Sequence, residues 1–357
     1  MEMHMDNNLF DFAASELSQD AVICWCVNWF NFKDSALWGL GRDMLHLICP
    51  KLLISDSEDV IIIRQWHKTD ILLYFRLSGN AVIVEDKVYT TEHDDQINTY
   101  INKIISLPEK EKSDLDVNSI SPEKLYTTYF KTGFFYDCDK KVATDFTVTG
   151  DQFLEIINRH KEKNIILEYF SEHLSNIISW YDTYGSINIS NISDHQIAQY
   201  KLMRYIFNES LWDRKNSLYE VYHGSNRDGS PWTEMTVFKG KFKDNRSYSI
   251  FWRIDKDSKG PYLSLRFYDG EMDKNNPDHT LLHCEIYEKM RNICQSICSE
   301  MKNPVNWKDI SYRDTCRYKE STLARFELTN VINNWNDINN AFKSVILEYN
   351  DMFAAFI

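Results

Sequence analysis

The sequence has little of what would make a chain flexible or let it cross a membrane. Only 11 glycines and seven prolines occur in 357 residues, which excludes collagen-like proteins and Gly/Pro-rich linkers. The longest apolar run, residues 21–30, is interrupted by Asn28 and is about half the length needed to cross a bilayer. Because 43% of the residues are hydrophobic and 14% are aromatic, we expect a globular protein with a large core.

Export signals and metal-binding cysteine pairs are also missing from the sequence. The first six residues lack the basic and then apolar order of a secretion signal, so we expect a cytoplasmic protein that does not associate with membranes. The eight cysteines form no CxxC pair. Without an export signal, they are predicted to be reduced and mostly buried thiols.

Basic residues are outnumbered by acidic residues in this chain. Fifty-three Asp and Glu against 40 Lys and Arg give a formal charge of −13. This balance argues against a protein that simply coats DNA, since the chain as a whole repels phosphates. It does not exclude a metal-dependent enzyme, which needs clustered carboxylates.

The N-terminal half predicts helices and short strands in the order ααβββαβα. Apolar periodicity and breaker residues place helices at 9–30, 35–49 and 92–107, one or two helices at 151–184, strands at 60–66, 70–77, 81–89 and 124–135, and a surface loop at 108–122. This order indicates an α/β fold in which helices flank a mixed central sheet.

The pattern changes near residue 190. A helix is predicted at 192–207, strands at 218–222, 233–239, 248–254 and 262–268, and helices at 280–301 and 333–355. We therefore predict two domains, an α/β core over residues 1–190 and an α+β region over 191–357.

Three charged residues stand where strands should be apolar. Asp70 begins one predicted strand, and Glu85 and Lys87 lie in the next. Because side chains alternate along a strand, Glu85 and Lys87 project from the same face.

Whether Asp70 shares that face depends on the register of the predicted hairpin. A two-residue loop at 79–80 would pair Ser78 with Ala81 and would place Asp70 opposite Tyr89, on the face of the Glu and the Lys. A loop longer by one residue would move Asp70 to the opposite face. The sequence therefore predicts convergence of these groups if the loop is even.

An Asp, a Glu and a Lys in one place favour phosphodiester hydrolysis. Two carboxylates supply the hard oxygen ligands that Mg²⁺ or Mn²⁺ prefers, and they leave coordination positions open for water and a phosphate oxygen. A nearby lysine can orient or deprotonate the attacking water, or stabilise charge on the phosphoryl oxygens. The candidate cofactor is therefore Mg²⁺ or Mn²⁺.

These residues resemble the motifs of the PD-(D/E)XK nuclease superfamily. Asp70 is similar to the family's Asp, preceded here by Thr69 in place of a loosely kept Pro, and Glu85-Asp86-Lys87 is similar to its (D/E)xK. Gln96 and Tyr100 resemble the QxxxY motif of RecB-like and lambda-exonuclease-like members. Glu16, in Ser15-Glu16-Leu17-Ser18-Gln19-Asp20, resembles the first-helix Glu of this superfamily.

The resemblance covers about residues 8–135 and implies a restriction-endonuclease-like core with assigned roles. Its implied metal ligands are Asp70, Glu85, the Asp86 carbonyl and Glu16. The implied water-activating group is Lys87, the implied supporting residue is Gln96, and Tyr100 is expected near the substrate. Lys131, at the end of the next strand, is either a contact to the substrate backbone or a solvated strand end.

The implied function is that of a metal-dependent nuclease acting on nucleic acid, and DNA is the expected substrate rather than RNA. The N-terminal region looks most like an uncharacterised bacterial group suspected of roles in phage defence or mobile elements. Two alternatives stay open: a nuclease fold without turnover that binds nucleic acid or a protein, and an interaction protein whose second half is the functional part.

The region 191–357 is expected to position substrate, bind a regulator or form a homo-oligomer. Its Lys239-Gly240-Lys241-Phe242-Lys243 run alternates bases with an aromatic residue, as in a phosphate-contacting strand. Solvated lysines on an edge strand also explain the run, and this is the favoured interpretation.

Overall fold

The protein folds into two compact units, Met1–Asp182 and Thr183–Ile357. The structure is a computed structural model, and it describes residues 8–12, 15–66, 68–91, 96–114, 117, 120–136, 138–180, 192, 196–209, 221–226, 230–257, 260–300, 307–309, 316, 318–328 and 335–354. Within these ranges both units combine helices with a sheet, so the coarse α/β prediction is confirmed. No helix in the described ranges is both long and apolar enough to cross a membrane.

The first unit is built around a mixed sheet. Its described helices are α1 (Ser15–Asn28), α2 (Trp38–Ile48), α3 (Gln96–Ile105), α4 (Glu109–Asp114), α5 (Gly150–His160) and α6 (Ile165–Trp180). Its described strands are β1 (Val60–Trp66), β2 (Thr69–Phe75), β3 (Ala81–Lys87), β4 (Leu125–Lys131) and β5 (Phe146–Thr149). They pair in the order β1-β2-β3-β4-β5, antiparallel from β1 to β3 and parallel from β3 to β5.

Two elements of this unit, α4 and β5, differ from the sequence prediction. The segment predicted as a loop contains α4, whose sequence Glu-Lys-Glu-Lys-Ser-Asp has no apolar stripe and so gives no helical periodicity. The strand β5 is absent from the prediction because it has only four residues, of which Phe146 and Val148 are buried. The prediction of one or two helices over 151–184 is confirmed, with α5 and α6 as two helices.

Both faces of the sheet are covered, which explains why β2 and β3 are almost continuously apolar. One face belongs to a core shared with residues of α1, α2, α5 and α6; its β2 and β3 members include Ile71, Leu73, Val82 and Val84. The other face belongs to a smaller core that includes residues of α3; its β2 and β3 members are Leu72, Tyr74, Ala81 and Ile83. The alternation assigns every β2 and β3 side chain to one of these two faces.

The packing of α2 depends on a glycine. A Cβ atom at Gly41 would lie only 2.1 Å from the backbone nitrogen of Phe30, whereas one at Gly39, in the same helix, would lie 3.5 Å from its nearest neighbour, a His160 ring carbon. A backbone atom cannot move away as a flexible side chain can. The backbone at Phe30 therefore approaches α2 closely at Gly41, whereas no such close approach occurs at Gly39.

We expect Gly41→Ala to destabilise the protein by at least about 1–3 kcal/mol because it overpacks this contact. Gly39→Ala is the matched control and should be neutral or slightly stabilising, since alanine favours helix over glycine. Urea unfolding of both variants followed by circular dichroism checks this. Equal stability of the two variants would contradict the close packing.

The second unit is built on an antiparallel sheet. Its described helices are α7 (Gln196–Glu209), α8 (Pro277–Glu300) and α9 (Trp335–Ala354). Its described strands are β6 (Val221–Ser225), β7 (Pro231–Lys241), β8 (Ser247–Asp257), β9 (Gly260–Tyr268), β10 (Trp307–Asp309) and β11 (Glu320–Leu328). They pair in the order β10-β11-β9-β8-β7-β6, so β10 and β11 are additions to the four predicted strands.

One prediction about the cysteines is wrong. Cys284 of α8 and Cys316 form a disulfide, with 5.1 Å between their Cα atoms. The pair is 32 residues apart in the sequence and carries no spacing signal. The other six cysteines are free thiols, of which Cys138 is exposed.

One face of the second sheet carries a network of charges on four strands. Arg253 of β8 contacts Asp255 at 3.0 Å and Glu320 of β11 at 3.4 Å, and Arg266 of β9 contacts the same two carboxylates at 2.7 and 3.2 Å. Glu234 of β7 lies at the margin, 3.9 Å from Arg253. Burial, and then the nearby Glu320 carboxylate, raise the pKa of Glu234 to about 7.

This shift predicts a pH-dependent stability. Because the folded-state pKa is raised, Glu234 contributes stability fully below its ordinary pKa of 4.5, and loses it as the pH rises through about 7. Glu234→Gln should remove that loss. From about pH 5 to about pH 8 the parent should therefore lose more unfolding free energy than Glu234→Gln does. The difference between the two losses should be up to about 3 kcal/mol.

Urea unfolding at the two pH values, followed by tryptophan fluorescence, measures this difference. Glu288→Gln is the matched control, since its parent carboxylate is half exposed on α8 and should leave the pH dependence as it is. Parallel pH profiles for the parent and Glu234→Gln would contradict the shifted pKa.

Candidate active site

The hairpin register places the candidate residues on a common face, although not in the predicted pairing. Tyr74 rather than Ser78 pairs with Ala81, and the Phe75 N–H donates to the Asn80 carbonyl at 2.9 Å. The loop is therefore longer than two residues, and the register differs from the prediction by four. A shift by an even number keeps each side chain on its face, so the predicted face of Asp70 is retained.

Asp70, Glu85 and Lys87 converge on the sheet face that packs with α3. The Lys87 Nζ lies 2.5 Å from Glu85 Oε1 and 3.5 Å from Asp70 Oδ2. It also donates to the Asp86 carbonyl oxygen at 3.1 Å. The Glu85 side chain is 1% exposed and that of Lys87 is 11% exposed, so the ion pair lies largely away from water. The ammonium thus faces three oxygens, two from β3 and one from β2.

A backbone hydrogen bond fixes the second carboxylate. The Asp86 N–H donates to Asp70 Oδ2 at 2.9 Å, which ties the start of β2 to the end of β3. The same oxygen faces the Lys87 ammonium. Asp70 thus joins the two strands as well as facing the amine.

The Asp86 side chain lies on the opposite face, against α1. Gln19 donates to Asp86 Oδ1 at 2.5 Å and accepts a hydrogen bond from Thr132 at 2.5 Å. Asp20, the next residue of α1, accepts from the Gln65 amide at 2.7 Å. The prediction for Asp86 concerned its carbonyl, which does face the Lys87 ammonium, whereas its carboxyl group is part of this second cluster.

Gln19 and Asp20 are site residues that the sequence reasoning missed. Both belong to the segment that carries Glu16, and they follow it by three and four residues, the spacing that places residues on one side of a helix. That spacing is the signal that could have found them. Glu16 itself lies in α1, but its side chain is outside the described residues.

Burial of several carboxyl groups near one another raises their pKa values. The pKa of Asp86 is raised well above its ordinary value, mainly by burial and then by the Asp20 charge. The pKa of Asp20 is raised mainly by burial and then by the charge of Asp70. These carboxyls and Glu85 share the vicinity with the Lys87 ammonium, so acidic groups outnumber this amine.

The donors at Lys87 fit a hard divalent cation in their chemistry. Asp70, Glu85 and the Asp86 carbonyl supply oxygen only, as Mg²⁺ and Mn²⁺ prefer. In the part of the chain that the structure describes, no three His, Cys, Asp or Glu side chains are arranged to hold a metal ion. Because the ammonium contacts these oxygens directly, a cation and the amine compete for them.

The two α3 residues of the predicted motif differ in exposure. Gln96, the first described residue of α3, is half-buried. Tyr100 is 3% exposed and belongs to the core of this face with Leu72 and Ile83. Its position is therefore that of a core residue.

Lys131 is placed neither in solvent nor at an exposed surface. Its side chain is 0% exposed, and its ammonium donates to Asp139 at 2.8 Å and to the Thr90 carbonyl at 2.7 Å. Asp139 also accepts from the Tyr129 hydroxyl at 2.5 Å. Lys131 thus holds the segment that follows β3, and both predictions of an exposed residue are wrong because its charge is buried against Asp139 and Thr90.

Comparisons with protein-family models, with curated proteins and with solved structures found no match to this chain. The function is therefore inferred from the geometry of the site.

Proposed function

We propose that the first unit is a PD-(D/E)XK-type nuclease that hydrolyses phosphodiester bonds of nucleic acid, DNA in the first place, with Mg²⁺ or Mn²⁺. The observation that carries the proposal is the approach of Asp70 and Glu85 to within 3.5 Å of the single ammonium of Lys87. A simple ion pair would not need this arrangement, since one carboxylate is enough to neutralise one amine. The expectation of a role in phage defence rests on the sequence resemblance alone.

In this proposal the carboxylates of Asp70 and Glu85 and the Asp86 carbonyl would hold the cation. When bound, the cation supplies Lewis-acid stabilisation of the phosphoryl oxygens. Lys87 would orient the attacking water or take its proton, and it lies beside both carboxylates that would hold the cation. The Asp86 N–H keeps the Asp70 carboxylate directed toward this place.

The residues behind the site have a positioning role. Gln19 links Asp86 to Thr132, so α1, β3 and the end of β4 are joined through one amide. Lys131 fixes the Thr90 carbonyl just after β3. We expect both side chains to act by keeping the strand ends in place.

We expect Glu85→Gln and Lys87→Met each to reduce metal-dependent cleavage at least about 100-fold, since each removes a group that acts on the reacting atoms. The measurement is nicking of plasmid DNA and cleavage of a labelled oligonucleotide with Mg²⁺ or Mn²⁺. Both substitutions keep the side-chain volume nearly unchanged but break a buried ion pair, so circular dichroism of each variant must show that it is folded.

Glu155→Gln is the matched control, because it neutralises a largely exposed carboxylate of the same unit on α5. It should cleave at the parental rate. Equal cleavage by the parent, Glu85→Gln and Lys87→Met would assign any activity to a contaminant and would contradict the proposal.

A second candidate function is a binding module without turnover. The observation that favours it is the short Lys87–Glu85 contact of 2.5 Å, in which the amine already neutralises the more buried carboxylate. In that case the ion pair is structural, and no divalent cation enters.

Calorimetric titration with Mn²⁺ separates the two candidates. If the protein is a nuclease, the parent should bind Mn²⁺, and Asp70→Asn should weaken this binding at least about tenfold. A silent module predicts no binding by either protein. Circular dichroism of Asp70→Asn shows whether the variant is folded.

A further inference from the structure

Two lysines of the Lys239–Lys243 run lie on the face of the second sheet that does not pack against the helices. Ile250 and Trp252 of β8 belong to the core with residues of the helices α7, α8 and α9. Lys239 and Lys241 pair instead with Ser249 and Ser247, which alternate with those core residues. Both lysines therefore project from the opposite face.

The glycine between the two lysines is explained by packing. Gly240 pairs with Tyr248, and a Cβ atom at Gly240 would lie 2.3 Å from Cζ of the Tyr248 ring. The ring thus fills the inner position of Gly240. Phe242, the aromatic residue of the run, is only 4% exposed and belongs to the core, so its ring is not on the face that carries Lys239 and Lys241.

The lysines lie near an edge of the described part of the sheet. β6 pairs with Pro231–Met235 of β7, whereas Lys239 and Lys241 lie further along β7 and pair with β8. The expectation of lysines at a strand edge is therefore compatible with this position. A strand edge is also a place that an extended ligand can reach from the side.

A groove of about 690 Å³ lies beside the two lysines. Its lining includes Lys239, Lys241, Ser247, Ser249 and Tyr268. Ammonium and hydroxyl groups are hydrogen-bond donors, and this combination is suited to the oxygens of a phosphodiester. The volume is within the range of small-ligand sites.

Exposed aromatic rings accompany the lysines on this face. Tyr268 is 40% exposed and pairs with Ser249, and Tyr222 is 42% exposed, with its ring centre 5.8 Å from the Lys239 ammonium. Exposed rings beside a basic groove are the means by which proteins bind single strands, because bases stack on the rings while cations contact the phosphates.

The local charge favours an anion, although the whole chain is acidic. The described lining of the groove contains one acidic residue, Glu271, and two basic residues, Lys239 and Lys241. Lys319 adds a further base nearby, since its ammonium donates to the carbonyl of Gly270, a lining residue, at 2.8 Å. Lys243, which is not among the described lining residues of the groove, pairs with Glu285 at 3.2 Å.

We infer that this groove binds single-stranded nucleic acid, with phosphates at Lys239 and Lys241 and a base against Tyr268. This goes beyond the proposed nuclease function, since the groove belongs to the second unit and its donors require no metal ion. The lysines contribute charge and the tyrosine contributes stacking.

The test is fluorescence anisotropy of a labelled oligothymidylate of about 20 nucleotides with the full-length chain in EDTA. We expect Lys239→Ala/Lys241→Ala to weaken binding about tenfold or more. It should also reduce the slope of log K against log salt by about 1.4, or about 0.7 for each lost phosphate contact. Tyr268→Ala should weaken binding about fivefold or more through lost stacking.

Lys243→Ala is the matched control, because it removes the same charge from the same run at a lysine that is not among the described lining residues of the groove. It should bind as the parent does, and Lys239→Arg/Lys241→Arg should retain binding. Parental affinity in the double alanine variant, or an equal loss with Lys243→Ala, would overturn the inference.

Two further outcomes are informative. Duplex DNA that competes as well as the single strand, with no effect of Tyr268→Ala, would overturn the assignment of single strands. Failure of the nuclease proposal is seen separately, as binding in EDTA without cleavage when Mg²⁺ or Mn²⁺ is added.

Discussion

A lysine ammonium held between two carboxylates determines how the ends of β2 and β3 are arranged. A buried charge is costly unless it is paired, and Lys87 meets this requirement with Glu85 at 2.5 Å and Asp70 at 3.5 Å. Removing one partner of such a buried pair typically costs about 3–5 kcal/mol. In the absence of a cation, these contacts therefore hold the start of β2 and the end of β3 together.

The same region carries more carboxyl groups than one amine can neutralise. Asp20 and Asp86 lie behind the ion pair on the α1 side, where burial raises the pKa of both; the charge of Asp70 raises that of Asp20 further, and the charge of Asp20 that of Asp86. Protonation or a bound cation can relieve this excess of negative charge, and a cation would also use the convergence of Asp70 and Glu85. The nuclease proposal thus connects the electrostatics of the site with its chemistry.

The sequence predicted the two faces of the hairpin better than its register. Strand alternation was enough to place Glu85 and Lys87 together, and an even register difference left Asp70 on their face despite the longer loop. The burial of Lys131 could not be predicted, because its partner Asp139 lies in a short turn that no periodicity marks. The Cys284–Cys316 disulfide could not be predicted either, because the pairing depends on the fold of the second unit.

The second unit shows how alternation gives one sheet two different surfaces. On one face, residues such as Trp252 pack against the helices. The residues that alternate with them along the strands lie on the other face, which carries ion pairs and also Lys239 and Lys241. The charged network around Arg253 and Arg266 extends over four strands, where opposite charges are closely matched. The lysine groove lies along the β7–β8 pair, where both lysines line it together with Glu271.

The most direct measurement of the central claim is a crystal structure of the protein soaked in Mn²⁺, with anomalous scattering used to locate the metal. The account predicts a peak within about 2–2.6 Å of carboxylate oxygens of both Asp70 and Glu85, with the Lys87 ammonium moved away from Glu85. An unchanged Lys87–Glu85 ion pair without a peak at these carboxylates would contradict it.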